Sequence, residues 1–258
     1  MLENIDFRKS EQYTLSIRLT ADGFCFSLCN ASPTEKKFFP NWESEIDLLL
    51  SECGNLKKIF KQTEWLSNSF GQVNVIVEAT RHLLMPLAFF DDEQTEEIFY
   101  HSFCQAENEV VCYNILPDEN MVMLFGMDES THDFLTEQYP DAKFYAKATT
   151  LVRYHAKEEK SSKRTLFVNI GKTATTLLAY EKGQLQLCNS ILSLHDTDIA
   201  YYVLSCWKNL HLDQEADELH LTGLTNEHPE LMPLFQTYIK QLKCVENSGD
   251  LDFKALVS

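Results

Sequence analysis

A segment near the start of the chain recurs, in its hydrophobic pattern, in the second half. TLSIRLTADGFCFSL begins at residue 14 and aligns without a gap with TLFVNIGKTATTLLA, which begins at residue 165, an offset of 151 residues. Each segment places apolar residues in alternation on either side of a short turn, which is typical of paired strands. Alternation alone makes any two strands look alike, so the shared order of the following elements carries more weight. The sequence therefore predicts two copies of one structural unit.

The first copy is predicted to contain a three-stranded meander, a helix and a further strand. Asp22-Gly23 lies between two alternating runs and predicts a tight hairpin turn. The apolar spacing of 44–56 predicts an amphipathic helix with Ile46, Leu49, Leu50 and Cys53 on one stripe. The predicted elements are strands at 13–20, 23–30 and 36–40, the helix at 44–56 and a strand at 72–78.

The second copy is predicted to repeat that order after a middle region with a different pattern. The middle region is predicted to contain an apolar turn at 83–90, a helix at 95–103, strands at 109–116 and 121–127, a helix at 130–138 capped by Ser130, a strand at 143–146 and a helix at 149–157. The second copy is predicted to contain strands at 165–171, 175–181 and 184–191, a helix capped by Asp196 or Asp198, a strand at 218–222 and a helix starting near Pro233.

The stretch KEEKSSKR at 157–164 has no apolar residue and predicts a domain boundary. We therefore expect a first half at 1–160, with an inserted helix and hairpin at about 81–128, and a second half at 161–258.

The charge of the chain excludes several classes of partner. Lys and Arg number 22 against 39 Asp and Glu, a formal net charge of −17. Such a chain repels nucleic acid and anionic membrane, and it favours basic protein partners. The first residues lack a basic and then apolar leader pattern, and the apolar run at 83–90 is broken by Pro86 and too short to span a bilayer. We expect a cytoplasmic protein without direct membrane insertion.

Local motifs point weakly to chemistry. The eight cysteines contain no C-x-x-C pair, and buried reduced thiols are favoured over a metal site. HDTD at 195–198 offers a histidine and two carboxylates, but one of these acids is also a natural helix cap. GKT at 171–173 resembles the end of a phosphate-binding P-loop, yet Leu166 stands where that loop requires its first glycine. No nucleophile elbow is present, so the sequence does not predict a catalytic triad. The cap role of one HDTD acid disfavours a metal site there.

Two further residues, Arg18 and His155, stand out in predicted secondary structure. Arg18 lies inside an apolar strand, where it either contacts an anion or, as we favour, forms a salt bridge with one of the many carboxylates. His155 is predicted to be a helix residue at the junction of the two halves.

A β-β-β-α-β-α unit present twice resembles the actin-like ATPase fold, which consists of two ribonuclease H-like halves and includes actin, Hsp70-type chaperones and sugar kinases. The sequence is most similar to the PilM and FtsA type of pilus-assembly and cell-division proteins, whose first half carries an inserted helix and hairpin. VCYNILPDENMVMLFGMD resembles that insertion, AKATTLVRYHAK the helix that crosses into the second half, and LHLTGL the strand before the adenosine-side loop. The resemblance implies an α/β fold with mixed sheets, and it suggests a bacterial family of unknown function.

The resemblance also implies a nucleotide cleft between the halves. In such proteins the first hairpin of each half turns its backbone N–H groups toward the phosphates, and a carboxylate on each first strand holds magnesium through water. The corresponding positions are Arg18 and Asn169, and neither is a carboxylate. Leu224 stands where a second glycine would normally face adenosine. The residues that remain as nucleotide-binding candidates are Asn169, Gly171, Lys172, Thr173, Gly223 and Asp22.

These substitutions predict a non-catalytic binding or scaffold module with a degenerate nucleotide site, with no catalytic residue and no cofactor. The alternative is a nucleotide-binding switch or weak ATPase that binds ATP and magnesium, with Asp22 replacing the missing carboxylate. A kinase for a small metabolite is the weakest hypothesis, because no catalytic base stands out.

Overall fold

A computed structural model of the chain describes residues 5–31, 36–158, 163–193, 195–245 and 250–257. The first half consists of β1 (Tyr13–Thr20), β2 (Gly23–Ala31), β3 (Lys36–Phe38), β4 (Trp42–Glu45), α1 (Glu52–Gln62), β5 (Gln72–Val77), α3 (Glu129–Gln138), β9 (Lys143–Ala146) and α4 (Lys147–Glu158). Its sheet has the strand order β3-β2-β1-β5-β9, and β4 also pairs with β2.

The elements that follow are β10 (Arg164–Ile170), β11 (Ala174–Glu181), β12 (Gln184–Leu192), α5 (Asp196–Asn209), β13 (Glu218–Gly223), α6 (Leu231–Gln236), β14 (Gln241–Cys244) and α7 (Leu251–Val257). Their strands form a second sheet of order β12-β11-β10-β13-β14, which is the same arrangement of a meander followed by two parallel strands.

The two hairpins share one register. Thr14 pairs with Cys29 in the first sheet, and Thr165 pairs with Tyr180 in the second, so a shift of 151 residues converts one pair into the other. The first strand of each hairpin then pairs in parallel with the strand that follows the helix, β1 with β5 and β10 with β13. The predicted fold class, an α/β fold with repeated mixed sheets, is confirmed.

An inserted three-stranded sheet of order β6-β8-β7 follows β5. It consists of β6 (His82–Pro86), α2 (Thr95–Ser102), β7 (Glu109–Leu116) and β8 (Met121–Asp128). The prediction of an apolar turn at 83–90 was wrong for its first half, because 83–86 belong to β6, which pairs with β8 and packs against the core formed by Phe99, Val122 and Leu124. Only Leu87–Phe89 form a helical turn.

The helix predicted at 44–56 was also wrong in its first part. Trp42–Glu45 is strand β4, and α1 begins only at Glu52, where the Ser51 side chain accepts a hydrogen bond from the Gly54 amide at 3.1 Å. Leu49 and Leu50, assigned to a buried stripe, are exposed. At α3 the cap is Asp128 rather than Ser130, since the Asp128 carboxylate accepts from the Thr131 amide at 2.7 Å.

Helix α4 lies between the two sheets and joins their cores. Leu151 and Val152 are fully buried together with Phe125 from the insertion and Phe167 and Tyr180 from the second sheet. The final helix, α7, packs on α4 and places Phe253 against Cys25 and Ile76 of the first sheet. Residues near the end of the chain therefore complete the first half.

The division at 160/161 stays a prediction, because residues 159–162 of the polar stretch lie outside the described ranges. Residues 246–249, the start of the patternless tail, lie outside them as well. None of the described helices has the length and hydropathy needed to cross a bilayer.

Candidate functional site

A cavity of about 240 Å³ lies between the turn of the first hairpin and the turn of the second. Arg18 and Asp22 line it from β1 and its turn, and Asn169 and Lys172 line it from β10 and the equivalent turn. The two turns face each other across the cavity, because residues of both line it and Lys172 pairs with Asp22. Its position corresponds to the cleft between the halves that the family resemblance of the sequence implies.

Arg18 is held inside the first half by the end of the chain. Its guanidinium lies 3.0 Å from the Asp250 carboxylate and 3.1 Å from the Asp252 carboxylate, and its Cζ lies 4.3 Å from the centroid of the Phe253 ring. Burial favours the neutral form of Arg18, but the charges of Asp252, Cys25 and Asp250 outweigh it and raise the pKa above its ordinary value. The predicted salt bridge of Arg18 is confirmed, and its partners come from α7 and the residue before it.

The two hairpin turns are joined directly across the cleft. Lys172 Nζ lies 3.2 Å from Asp22 Oδ2, and the Thr20 hydroxyl donates to Asp22 Oδ1 at 2.8 Å. Partial burial raises the pKa of Asp22, but the hydrogen bonds from Thr20 and Lys172 together have the larger, opposite effect. The pKa of Asp22 therefore lies below its ordinary value. The hydrogen bond to Asp22 raises the pKa of Lys172. Both side chains therefore stay charged at neutral pH and bridge the turns.

A second bridge lies deeper in the cleft and was not predicted. Lys147 Nζ at the start of α4 lies 2.6 Å from Glu78 Oε1, and both side chains are buried. The other Glu78 oxygen accepts from the Thr173 hydroxyl at 3.2 Å. Glu78 follows β5 and Lys147 follows β9, two adjacent parallel strands, and their positions just beyond the ends of those strands were the available signal.

Gly171 is required by this second bridge. A Cβ atom at Gly171 would lie 2.7 Å from the Ala174 carbonyl oxygen and 2.8 Å from Glu78 Oε1. In the family that the sequence resembles, glycine at this turn lets a phosphate approach the backbone. Here the space beside the glycine contains the Glu78 carboxylate of the same chain.

The floor and far wall of the cleft come from the second sheet. The Asn169 side chain donates to the Thr222 hydroxyl at 3.0 Å, and Thr222 donates in turn to the Val168 carbonyl. Gly223 has φ of 85°, and a Cβ there would lie 2.1 Å from the Ile170 carbonyl oxygen, so only glycine fits. Leu224 lines the cavity next to it.

The structure thus brings all the predicted nucleotide-site residues to one place, but their interactions do not fit a magnesium nucleotide. Arg18, Lys147 and Lys172 are each paired with carboxylates of the chain itself. Glu43 and Glu45 add further negative charge to the lining. The cavity volume is also below the ~300–1,000 Å³ usual for small-molecule sites. The Lys172–Asp22 ion pair and the Thr173–Glu78 hydrogen bond instead link the two halves across the cleft.

The remaining motifs have structural roles. In HDTD, His195 is the N-cap of α5, Asp198 accepts from the His195 amide at 3.2 Å, and Asp196 lies 2.5 Å from His228. Within the described ranges, no group of three or more His, Cys, Asp or Glu side chains is arranged to hold a metal ion.

His155 lies on α4, as predicted, and its ring stacks on that of Phe167 with the centroids 4.0 Å apart. Burial, and to a smaller extent the nearby His220, lower the pKa of His155 to about 3.

Solved structures show the same fold. A Bacteroides thetaiotaomicron protein with actin-like ATPase fold and unknown function is 40% identical, covers 98% of both chains and superposes with a TM-score of 0.91. A structure of the PilM–PilN type IV pilus biogenesis complex has 11% identity and a TM-score of 0.63, covering 95% of this chain and 97% of that chain. The ethanolamine utilization protein EutJ from Carboxydothermus hydrogenoformans has 8% identity and a TM-score of 0.52, covering 95% and 89%.

These matches confirm the predicted resemblance to the actin-like ATPase fold, and the two distant ones share that fold alone. No curated protein matches the sequence. The model of a family described as "Protein of unknown function (DUF3822)" matches residues 2–242, so this chain is a member of the DUF3822 family and has the actin-like ATPase fold.

Proposed function

We propose that this chain is a non-catalytic protein-binding module whose cleft is sealed by its own ion pairs. The observation that carries the proposal is Arg18, which lies on the first strand of the first half and is held between Asp250 and Asp252. A positive charge at this position repels magnesium, and the two acids that neutralise Arg18 repel phosphate. The cleft therefore fixes the two halves relative to each other, and binding takes place on the outer surface.

The charge of the chain supports a basic protein partner. The net charge of −17 steers positively charged surfaces toward the chain and nucleic acid away from it. The eight free cysteines support a reducing compartment, and we place the protein in the cytoplasm. The PilM structure that shares the fold is itself a complex with a protein, PilN.

Nucleotide binding is tested by thermal unfolding with and without millimolar Mg·ATP. We expect the same midpoint in both, whereas a ligand at 100 times its dissociation constant would add about 2.7 kcal/mol of stability. Magnesium alone and tripolyphosphate serve as controls for nonspecific ion effects. A midpoint rise that needs both magnesium and ATP would contradict the sealed cleft and establish the nucleotide switch instead.

The partner's charge is tested by affinity capture on the immobilised chain with stepwise salt elution. We expect the captured proteins to be basic and to elute at moderate salt, because exposed charge attraction is screened over about 10 Å at 0.1 M. If only acidic proteins were captured, and if salt did not elute them, the proposal of a basic partner would be contradicted.

A further inference from the structure

Three consecutive leucines lie exposed on the loop between β4 and α1. Leu48 is 88% exposed and Leu49 is 93% exposed, and Leu50 is 42% exposed. Single exposed apolar residues are common on protein surfaces, but adjacent leucines with almost no intramolecular contact form an apolar projection of the kind that marks contact surfaces. We call residues 46–51 the leucine loop.

The leucine loop is held in one conformation from beneath. Asn55, which is 3% exposed, accepts from the Asp47 amide at 2.7 Å and donates to the carbonyls of Asp47, Leu50 and Ser51 at 3.0, 3.3 and 3.1 Å. The Asp47 carboxylate accepts from the Leu49 amide at 3.2 Å. A buried side chain thus fixes the backbone that presents the leucines, so a partner does not have to order this loop on binding.

A groove of about 600 Å³ lies near the other end of α1, between that helix and α3. Phe60 and Phe134 form its apolar floor, with their ring centroids 5.2 Å apart. Lys57 and Lys61 lie on its rim, and Lys57 Nζ is 5.5 Å from the centroid of the Phe134 ring. Glu64 also lines the groove, so two lysines and one acid leave a net positive charge there on an otherwise acidic protein. An apolar floor with this charge suits a leucine segment flanked by acids.

We propose that the leucine loop of one copy binds the α1–α3 groove of a second copy, in a two-fold symmetric dimer with antiparallel α1 helices. Helix α1 has 11 residues and so spans about 16 Å, which separates the loop at its start from the groove near its end. Antiparallel α1 helices place each loop opposite the partner copy's groove. One two-fold interface then forms both contacts and closes the assembly.

Charge complementarity selects a second copy over other occupants. Glu45 and Asp47 lie before the leucines, and in the antiparallel arrangement they face Lys57 and Lys61 of the second copy. The intramolecular pair of Asp47 with Lys58, at 3.1 Å, is exposed and weak enough to rearrange. An anionic membrane offers no cations to match Glu45 and Asp47, so it would repel a loop that carries these acids.

The dimer is tested by sedimentation equilibrium of the full chain over a range of concentrations. We expect a monomer–dimer equilibrium whose dissociation constant rises at least about 100-fold in the double variant Leu48→Ser, Leu49→Ser, because each contact loses two buried leucines. The double variant Lys57→Glu, Lys61→Glu is expected to weaken the dimer as well. Leu192→Ser is the matched control, since Leu192 is 66% exposed on β12 in the second half and should leave the equilibrium unchanged.

A second measurement locates the contact. A photo-crosslinking amino acid at position 49, in a mixture of unlabelled and ¹⁵N-labelled chains, is expected to give intermolecular links to peptides containing 57–64 or 134–138. A wild-type chain that stays monomeric, a dimer unaffected by the leucine variant, or links confined to other surfaces would overturn the proposal. Binding of the monomer to lipid vesicles through the leucines would assign the loop to a membrane and would also overturn it. None of these outcomes depends on whether the cleft binds nucleotide, so this proposal stands or falls separately from the sealed cleft.

Discussion

The first strands of the two halves occupy equivalent positions and use different chemistry. Arg18 pairs with Cys25 across its hairpin, and Asn169, 151 residues later, pairs with Thr176, 151 residues after Cys25. Arg18 depends on two acids from the end of the chain, whereas Asn169 is satisfied within its own sheet by Thr222. A common backbone frame therefore does not dictate its interior chemistry. At this position the first half uses acids from the other end of the chain, whereas the second half uses a residue of its own sheet.

The largest expected effect concerns this pair of positions. Arg18→Met leaves Asp252, which is 1% exposed, without its compensating charge, and we expect a loss of about 3–5 kcal/mol in the free energy of unfolding. Asn169→Ala removes a neutral hydrogen bond and should lose only about 1–2 kcal/mol. Urea unfolding monitored by circular dichroism measures both.

The double variant Arg18→Met, Asp252→Asn provides the control, since it removes both buried charges and should recover part of the loss. Asp250→Asn should have a small effect, because that side chain is 47% exposed. If Arg18→Met and Asn169→Ala lowered the free energy of unfolding equally, the two equivalent positions would not differ in their importance for stability, and the proposed asymmetry would be wrong.

The next effect concerns the strand beside each first strand. Thr14 pairs with the neutral Gln72 in the first half, and Thr165 pairs with Glu218 in the second. Hydrogen bonds from Lys163 and Lys243 outweigh partial burial and lower the pKa of Glu218 from its ordinary value of 4.5 to about 2. A carboxylate with a depressed folded-state pKa contributes stability above pH 4.5 that is lost as the pH falls toward about 2.

Glu218→Gln should therefore lower the free energy of unfolding by about 2 kcal/mol near neutral pH and by much less in acid, after allowing for the exposure of its lysine partners. Urea unfolding over a pH series measures this dependence. Glu215→Gln is the matched control, because Glu215 forms an exposed pair with Lys240 and should change little at any pH. If the free energy of unfolding of Glu218→Gln changed with pH in the same way as that of the wild type, the lowered pKa of Glu218 would not be the source of the acid sensitivity.

The smallest effect concerns the bridge between the hairpin turns. Asp22→Asn or Lys172→Met should lower the free energy of unfolding by less than about 1 kcal/mol, because both side chains are more than a third solvent-exposed. The Asp22 contribution is lost as the pH falls through its lowered pKa, and the Lys172 contribution is lost as the pH rises through its raised pKa. Thermal unfolding across pH measures both, and a loss well above 1 kcal/mol would show that the bridge is energetically dominant.

Most of the fold was predictable because it depends on local alternation and on the order of elements. The strand pairs around the two hairpins follow from patterns within about 20 residues of sequence, and their resemblance revealed the frame. The helix predicted at 44–56 was wrong in its first part because Ile46, Leu49, Leu50 and Cys53 have the spacing of one helix face. In the structure, hydrogen bonds with the side chains of Asn55 and Asp47 hold the backbone of the leucine loop in a turn. Hydrogen bonds from a single buried amide leave no periodic signal.

The cleft residues were predictable as positions, but their partners were not. Asp250 and Asp252 lie in an acidic tail without strong periodicity, and Glu78 and Lys147 are 69 residues apart. Pairing over such separations is determined by the packed structure, and one sequence without its homologues does not contain that information.

The contact between Arg18 and Asp250 spans 232 residues, which has a consequence for synthesis on the ribosome. The first hairpin leaves the exit tunnel with a cation facing its interior, long before either carboxylate has been translated. The nascent first half therefore lacks this ion pair until α7 has been translated, and a pause in translation before that point lengthens the time before the pair forms.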